Sequence, residues 1–305
     1  MENNKLQNDR QKEEIPLSEI LHILWINKVK LIAICLIFSF LSFSFSFTIT
    51  PEYKSSTLLI LVDNDSSSNG MSGLSSQYGG LASMAGISLP GSSSTNRADF
   101  AVETVRSRDF FNKLYEIENI LAPIHAAKGY DKKNKSIIYN EKIYDPYKQK
   151  WINSVPSKER AFVSYKDSLR VSKDKMTGFI SMSYQHKSPK FTKDILNIII
   201  DTLNQSIKEQ DLKLSEDALG YLSSQLEINN KSDIRKSINN LIQSEIQKQM
   251  LMSITKDYIL ASIESPHEPL SRSTPSRKLF LILGFILGFV LSVSYVLTRH
   301  YFNNK

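Results

Sequence analysis

Two uncharged apolar runs bracket a polar stretch of more than two hundred residues. Leu31–Thr50 reads LIAICLIFSFLSFSFSFTIT and Leu279–Thr298 reads LFLILGFILGFVLSVSYVLT, 20 residues each. At ~1.5 Å per residue, either run spans a hydrocarbon core about 30 Å thick. A helix satisfies its own backbone hydrogen bonds in lipid, so each run is expected to be a single spanning helix. The middle of the chain must then leave one membrane face and return to it, which removes most soluble-enzyme folds.

Charge sets the expected direction. Lys28 and Lys30 precede the first span, and Arg299, His300 and Lys305 follow the second. Both flanks are therefore expected in the cytoplasm. Arg277 and Lys278 stand on the other side, but at the end of a very long loop that translocates regardless of charge. A cleaved signal peptide fits poorly, because the leader is about thirty residues long and no A-x-A-like site follows. The central domain is placed outside the cytoplasm, in a periplasm where there are two membranes. The single cysteine, Cys35, lies inside the first span, so no internal disulfide is expected. The net charge is +7, with bases scattered among acids and no aromatic-basic platform. Membrane lipids or an anionic polymer are the natural partners, not nucleic acid.

Between the ends the pattern reads as α+β. Residues 1–27 form a tail in which Leu17, Ile20, Leu21, Leu24 and Trp25 share one helix face. A helix along the leaflet and an extension of the first span are both open. The first span is assigned to 28–50. Residues 51–188 form a mixed base: a strand at Tyr53–Val62, a helix at Ala98–Ile117, an irregular aromatic-rich stretch at 121–156 and a hairpin at Asp167–His186 with Gly178 beside its turn. Asp63-Asn64-Asp65 only faintly resembles a calcium loop. Ser66–Asn96 has linker composition, yet Leu74, Tyr78, Leu81, Met84, Ile87 and Leu89 recur in it. A mobile loop and a segment packed on a neighbour or the bilayer both remain open.

Residues 189–257 hold a long helix to about Ile228, a break at Asn229-Asn230 and a return helix from Ser232 to about Lys256. The outward helix reaches roughly 60 Å and the return helix roughly 37 Å, with a strand at Tyr258–Glu264 adding roughly 23 Å. The path therefore closes, and the strand after the first span and the strand before the second should pair antiparallel. Residues 258–278 carry Pro266, Pro269 and Pro275 into the second span at 279–298, and 299–305 form the last tail. A membrane-proximal sheet and helices with a projecting helical arm is the expected architecture.

Gly284, Gly288 and Ser292 recur every four residues, a small-residue face where helices approach closely. Ser39, Ser42 and Ser46 form a second stripe, at i, i+3 and i+7. The two stripes are expected to meet, within one chain or between chains; the bland reading is that Gly and Ser are common in membrane helices. Leu196, Ile199, Leu203 and Ile207, with Ile234 and Ile238, are candidate helix faces for packing between subunits. Pro266, Pro269 and Pro275 are candidates for coupling to the membrane. No phosphate loop and no G-x-S-x-G elbow occur, and the five histidines are dispersed. No catalytic, cofactor or metal site is expected.

Several segments together resemble a known family. They are IPLSEILHILWINKVKLI before the first span, KGYD at Lys128–Asp131 with IYD at Ile143–Asp145 and KW at Lys150-Trp151, LRVSKDKMTGFISMSYQHKSP leading into ILNIIIDTLN, and LIQSEIQKQMLMSITKDYILASIESPHEP before the proline-punctuated run. In this order, between two spans, they resemble the Wzz-type chain-length determinants of bacterial surface polysaccharides, the polysaccharide co-polymerases. The Ser66–Asn96 segment resembles only some relatives. The resemblance implies a non-enzymatic inner-membrane protein with a periplasmic α+β domain, assembled as a ring-shaped homo-oligomer. It implies control of the modal length of O-antigen or a related glycan, built from lipid-linked units by a separate integral-membrane polymerase. Related exopolysaccharide proteins add a cytoplasmic tyrosine kinase, for which the seven residues after the second span leave no room. The competing readings are a two-span periplasmic sensor, which needs an output module, and a transport-adaptor scaffold, which needs a pump.

Overall fold

The computed structural model describes residues 24–62, 94–152 and 154–303. The acidic triplet at 63–65, nearly all of the Ser/Gly-rich segment and most of the N-terminal helix pattern lie outside the described residues. The chain divides into two compact units, one holding 1–51 and 273–305, the other 52–272.

The first unit is a helix pair. Helix α1 spans Lys28–Phe45 and tightens through turns to Thr48, ahead of the expected end at Thr50. Helix α8 spans Arg277–Asn303, beyond the expected 279–298 at both ends. Both are long and apolar enough to cross a membrane. Their outward apolar side chains are open, with Phe40 71% and Leu36 59% exposed, as suits lipid contact better than a soluble core.

The second unit is built on a four-stranded antiparallel sheet. Strand β1 is Tyr53–Leu61, and β6 (Leu169–Lys173) and β7 (Ile180–His186) form the expected hairpin. Strand β8 is Leu260–Glu264. Their order across the sheet is β6-β7-β1-β8. Strand β8 pairs antiparallel with β1, Leu61 opposite Leu260, with an irregularity at Leu58/Leu59. Alternation dictates which side is buried. Tyr53, Ser55, Thr57 and Leu59 face one way with His186, Tyr184, Met182 and Ile180 opposite them, and Leu169 and Val171 beside. Lys54, Arg170, Ser172 and Ser181 on the other face are exposed.

The sequence between β1 and β6 is more helical than its pattern suggests. The expected helix at 98–117 is two helices, α2 (Ser94–Arg106) and α3 (Arg108–Tyr115). Ser107 breaks them by capping α3, its hydroxyl accepting from Phe110 N. The aromatic-rich stretch is a short helix α4 (Leu121–Ala126) and two small hairpins, β2 (Ala127–Asp131) with β3 (Ser136–Tyr139) and β4 (Tyr144–Asp145) with β5 (Lys150–Trp151). Helix α5 (Lys158–Ser168) follows, capped by Ser157. Its apolar residues are too few to give a period; Ala161 and Tyr165 alone are fully buried.

Pro189 opens α6, Pro189–Ile228, where the missing N–H costs nothing, and Ser188 caps it through Phe191 N. Helix α7 (Ser232–Ile254) returns. The first half of α6 lies on β1 and β7. One continuous apolar cluster joins Leu59, Ile180, Met182 and Tyr184 of the sheet to Ile195, Leu196, Ile199 and Leu203 of α6, to Val102 and Val105 of α2, to Phe110, Phe111 and Leu114 of α3, and to Tyr165 of α5.

Candidate assembly and membrane surfaces

The glycines of α8 sit where only glycine fits. A Cβ on Gly284 would lie 2.5 Å from Ser42 Cβ and 2.8 Å from the Phe38 carbonyl oxygen; one on Gly288 would lie 2.9 Å from Phe38 Cβ and 3.0 Å from Cys35 Cα. Close approach brings hydroxyls to opposite backbone: Ser42 Oγ donates to Phe280 O at 2.7 Å and Ser39 Oγ to Leu281 O at 3.1 Å. Ser292 is fully buried, its Oγ donating to Phe289 O and lying 3.8 Å from Cys35 Sγ. Ser46 is buried too, but its hydroxyl has no partner among the described residues. Gly284, Gly288 and Ser292 lie against the α1 face that bears Cys35, Phe38, Ser39 and Ser42; sequence spacing did not single out Cys35 and Phe38.

The long helix serves two purposes along its length. Leu196, Ile199, Leu203 and Ile207 are 0–3% exposed, sealed in the protein's own core. This corrects their assignment as a face for a neighbouring subunit: the sheet already covers them. Ile238 is also buried, whereas Ile234 is 40% exposed. Open apolar side chains lie further along instead. Leu214, Tyr221 and Ile228 recur every seven residues on α6, and Ile246, Met250 and Ile254 every four on α7, all exposed. The α7 stripe borders an apolar concavity of about 620 Å³ with Leu251.

Where α6 leaves the sheet, Asn204, Lys208 and Asp211 grip the returning chain. Asn204 is buried; its Oδ1 accepts from Ile259 N and Leu260 N, both at 2.9 Å, and its Nδ2 donates to Leu260 O at 3.0 Å. Lys208 Nζ donates to the carbonyls of Ser253 and Thr255. Asp211 Oδ2 accepts from Tyr258 Oη at 2.6 Å and from Arg97 at 3.0 Å. Burial first, then Asp211, push the Tyr258 phenol up to about 12. The spacing of four and three places these three polar residues on one helix face. Asn204 falls four residues after Ile200 and eight after Leu196, and this polar residue on an otherwise apolar helix face is the sequence signal for it.

At the other end of α6, His186 is buried. Its Nδ1 accepts from Ser188 N at 3.0 Å, so Nε2 carries the proton and donates to Pro123 O at 3.0 Å. Burial is the largest cause of its low pKa, about 4. Pro266 is buried and Pro269 half-buried in the second unit; Pro275 belongs to the helix-pair unit. The segment around Pro266 is held to β1, with Ser55 Oγ donating to His267 O at 2.7 Å and Thr57 Oγ1 donating to Glu264 O. No group of three His, Cys, Asp or Glu side chains could hold a metal ion among the described residues.

The chain-length determinant family, Wzz, matches residues 13–116, which take in α1, β1, α2 and α3. This chain carries a Wzz segment over its N-terminal third. Among solved structures, a full-length bacterial polysaccharide co-polymerase aligns at 14% identity over 94% of this chain and 98% of its own, TM-score 0.39. A fragment of WzzB, a polysaccharide co-polymerase from Salmonella Typhimurium, aligns at 14% identity over 73% of this chain and all of its own, TM-score 0.33. A point mutant of the Shigella flexneri lipopolysaccharide O-antigen chain-length regulator WzzBSF aligns at 11% identity over the same shares, TM-score 0.26. No curated protein sequence matches the chain.

Proposed function

We propose that this chain regulates the modal chain length of a surface polysaccharide, O-antigen or a related glycan, without catalysing bond formation. The Wzz match across the first apolar helix, β1 and the helices that follow carries this reading. Two helices apolar enough to span support a two-pass inner-membrane protein with both termini cytoplasmic and the sheet domain periplasmic. It assembles with copies of itself and works beside a separate integral-membrane polymerase that uses lipid-linked glycan.

The subunit contact is reassigned to the open stripes Leu214, Tyr221 and Ile228 of α6 and Ile246, Met250 and Ile254 of α7. Exposed apolar rows of this kind bury readily against a second copy. Pro266, Pro269 and Pro275 stiffen the link to α8. Deleting the gene in its host and resolving the surface polysaccharide on a gel tests the function. The modal band should vanish and return with the intact gene; an unaltered ladder would overturn the reading.

A further inference from the structure

We propose that the β2–β3 turn is a lysine-bearing foot that binds anionic phospholipid headgroups at the bilayer surface. The inference rests on the reading above that α1 and α8 cross a bilayer, and it adds a lipid contact made by the sheet domain itself.

Three chain segments converge in the second unit. Tyr53, the first residue of β1, packs its ring on Tyr130 of β2, centroids 6.2 Å apart. Lys132 Nζ lies 5.9 Å from the Tyr53 ring centroid. His267, on the segment returning towards α8, accepts from Ser55 through its carbonyl, and burial, then the charge of its neighbour Glu268, raise the Tyr130 phenol. The connections to both apolar helices therefore leave this unit beside the β2–β3 hairpin. Covalent reach fixes the distance. Tyr53 is three residues beyond Thr50, the end of the apolar run, so it lies within roughly 10 Å of it. That is about one Debye length at physiological salt.

The hairpin carries Lys128, Lys132, Lys133 and Lys135, all exposed and none in an ion pair among the described residues. Asp131 and Glu268 are the acids beside them. Asp131 is occupied within the turn, its Oδ1 accepting from Lys133 N at 2.8 Å and its Oδ2 from Asn134 Nδ2 at 2.8 Å. The turn thus holds its one acid inward while three lysines at its tip stay in solvent. Leu270, fully exposed between Pro269 and Arg272, adds an apolar side chain at the same end of the chain path. Lysines near an anionic leaflet each strengthen the contact about fivefold, and phosphodiester headgroups match a flexible ammonium without demanding a rigid geometry.

The full chain, Cys35→Ser with Ser136→Cys carrying a fluorophore, is reconstituted into vesicles of phosphatidylcholine alone or with phosphatidylglycerol at about three lipids in ten. A nitroxide on the lipid headgroup quenches the probe, and resistance to alkaline carbonate reports insertion separately. Quenching should rise about twofold with phosphatidylglycerol and fall back in high salt. K132Q/K133Q/K135Q should abolish the rise and K132R/K133R/K135R should keep it. An inserted chain whose quenching ignores lipid charge, or is unchanged in the glutamine variant, overturns this inference alone. Protection of the probe by a soluble anionic polysaccharide in place of lipid also overturns it. A chain that carbonate extracts overturns the membrane reading as well.

Discussion

Asn204 shows how one polar side chain can fasten an arm. Its amide serves two backbone N–H groups and one carbonyl of the returning strand, deep in an apolar helix face. Asn204→Ala leaves those groups buried without partners and should cost about 3 kcal/mol, read as a lower unfolding midpoint of the sheet domain in the detergent-solubilised chain. His186, just before the start of α6, makes the sheet domain acid-sensitive. Its folded pKa, about 4, is below the ordinary 6.5, so between these values the unfolded chain binds the proton more tightly. Stability therefore falls as pH drops from about 6.5 to about 4, by about 3 kcal/mol in all, and this loss levels off below. Chemical denaturation across that range should follow this curve, and His186→Gln should flatten it. An unchanged slope in the variant would remove His186 as the cause.

Elements differ in how openly the sequence declares them. The pairing of β1 with β8 is legible because helix and strand lengths force the path to close, and the hairpin from its alternation around Gly178. The break at Ser107 is not, because Val102 and Phe110, eight residues apart, keep a helical spacing across it while one hydroxyl ends α2 and starts α3. Helix α5 stays hidden for want of apolar residues. Periodicity identifies the face bearing Leu196, Ile199, Leu203 and Ile207, but a period cannot say whether a sheet of the same chain or a neighbour covers it. The small residues of α1 and α8 are visible as stripes, while their mutual register needs coordinates. That register makes its own prediction. Ser292→Cys should form a disulfide with Cys35 inside one chain on mild oxidation, seen as a shift on a non-reducing gel. Adding Gly284→Leu and Gly288→Leu should abolish it, since a Cβ alone already collides with Ser42 and Phe38. A product only of doubled mass would mean that the helices pair between chains.

At the scale of the whole molecule, the same helix that completes the core carries an unburied row beyond it. Replacing Leu214, Tyr221 and Ile228 by Ser removes exposed apolar surface only. Such changes should each shift folding stability by no more than about 0.5 kcal/mol while together reducing the assembled mass measured by light scattering in detergent. Leu203→Ala should do the reverse, costing about 3 kcal/mol through a core cavity. We propose that length control depends on self-association through this row and not on chemistry within a subunit. It is tested most directly by the polysaccharide ladder of a deletion strain carrying L214S/Y221S/I228S at normal abundance. The modal band should be lost or shortened although the folded protein persists in the membrane. A ladder identical to that of the unaltered protein would contradict it.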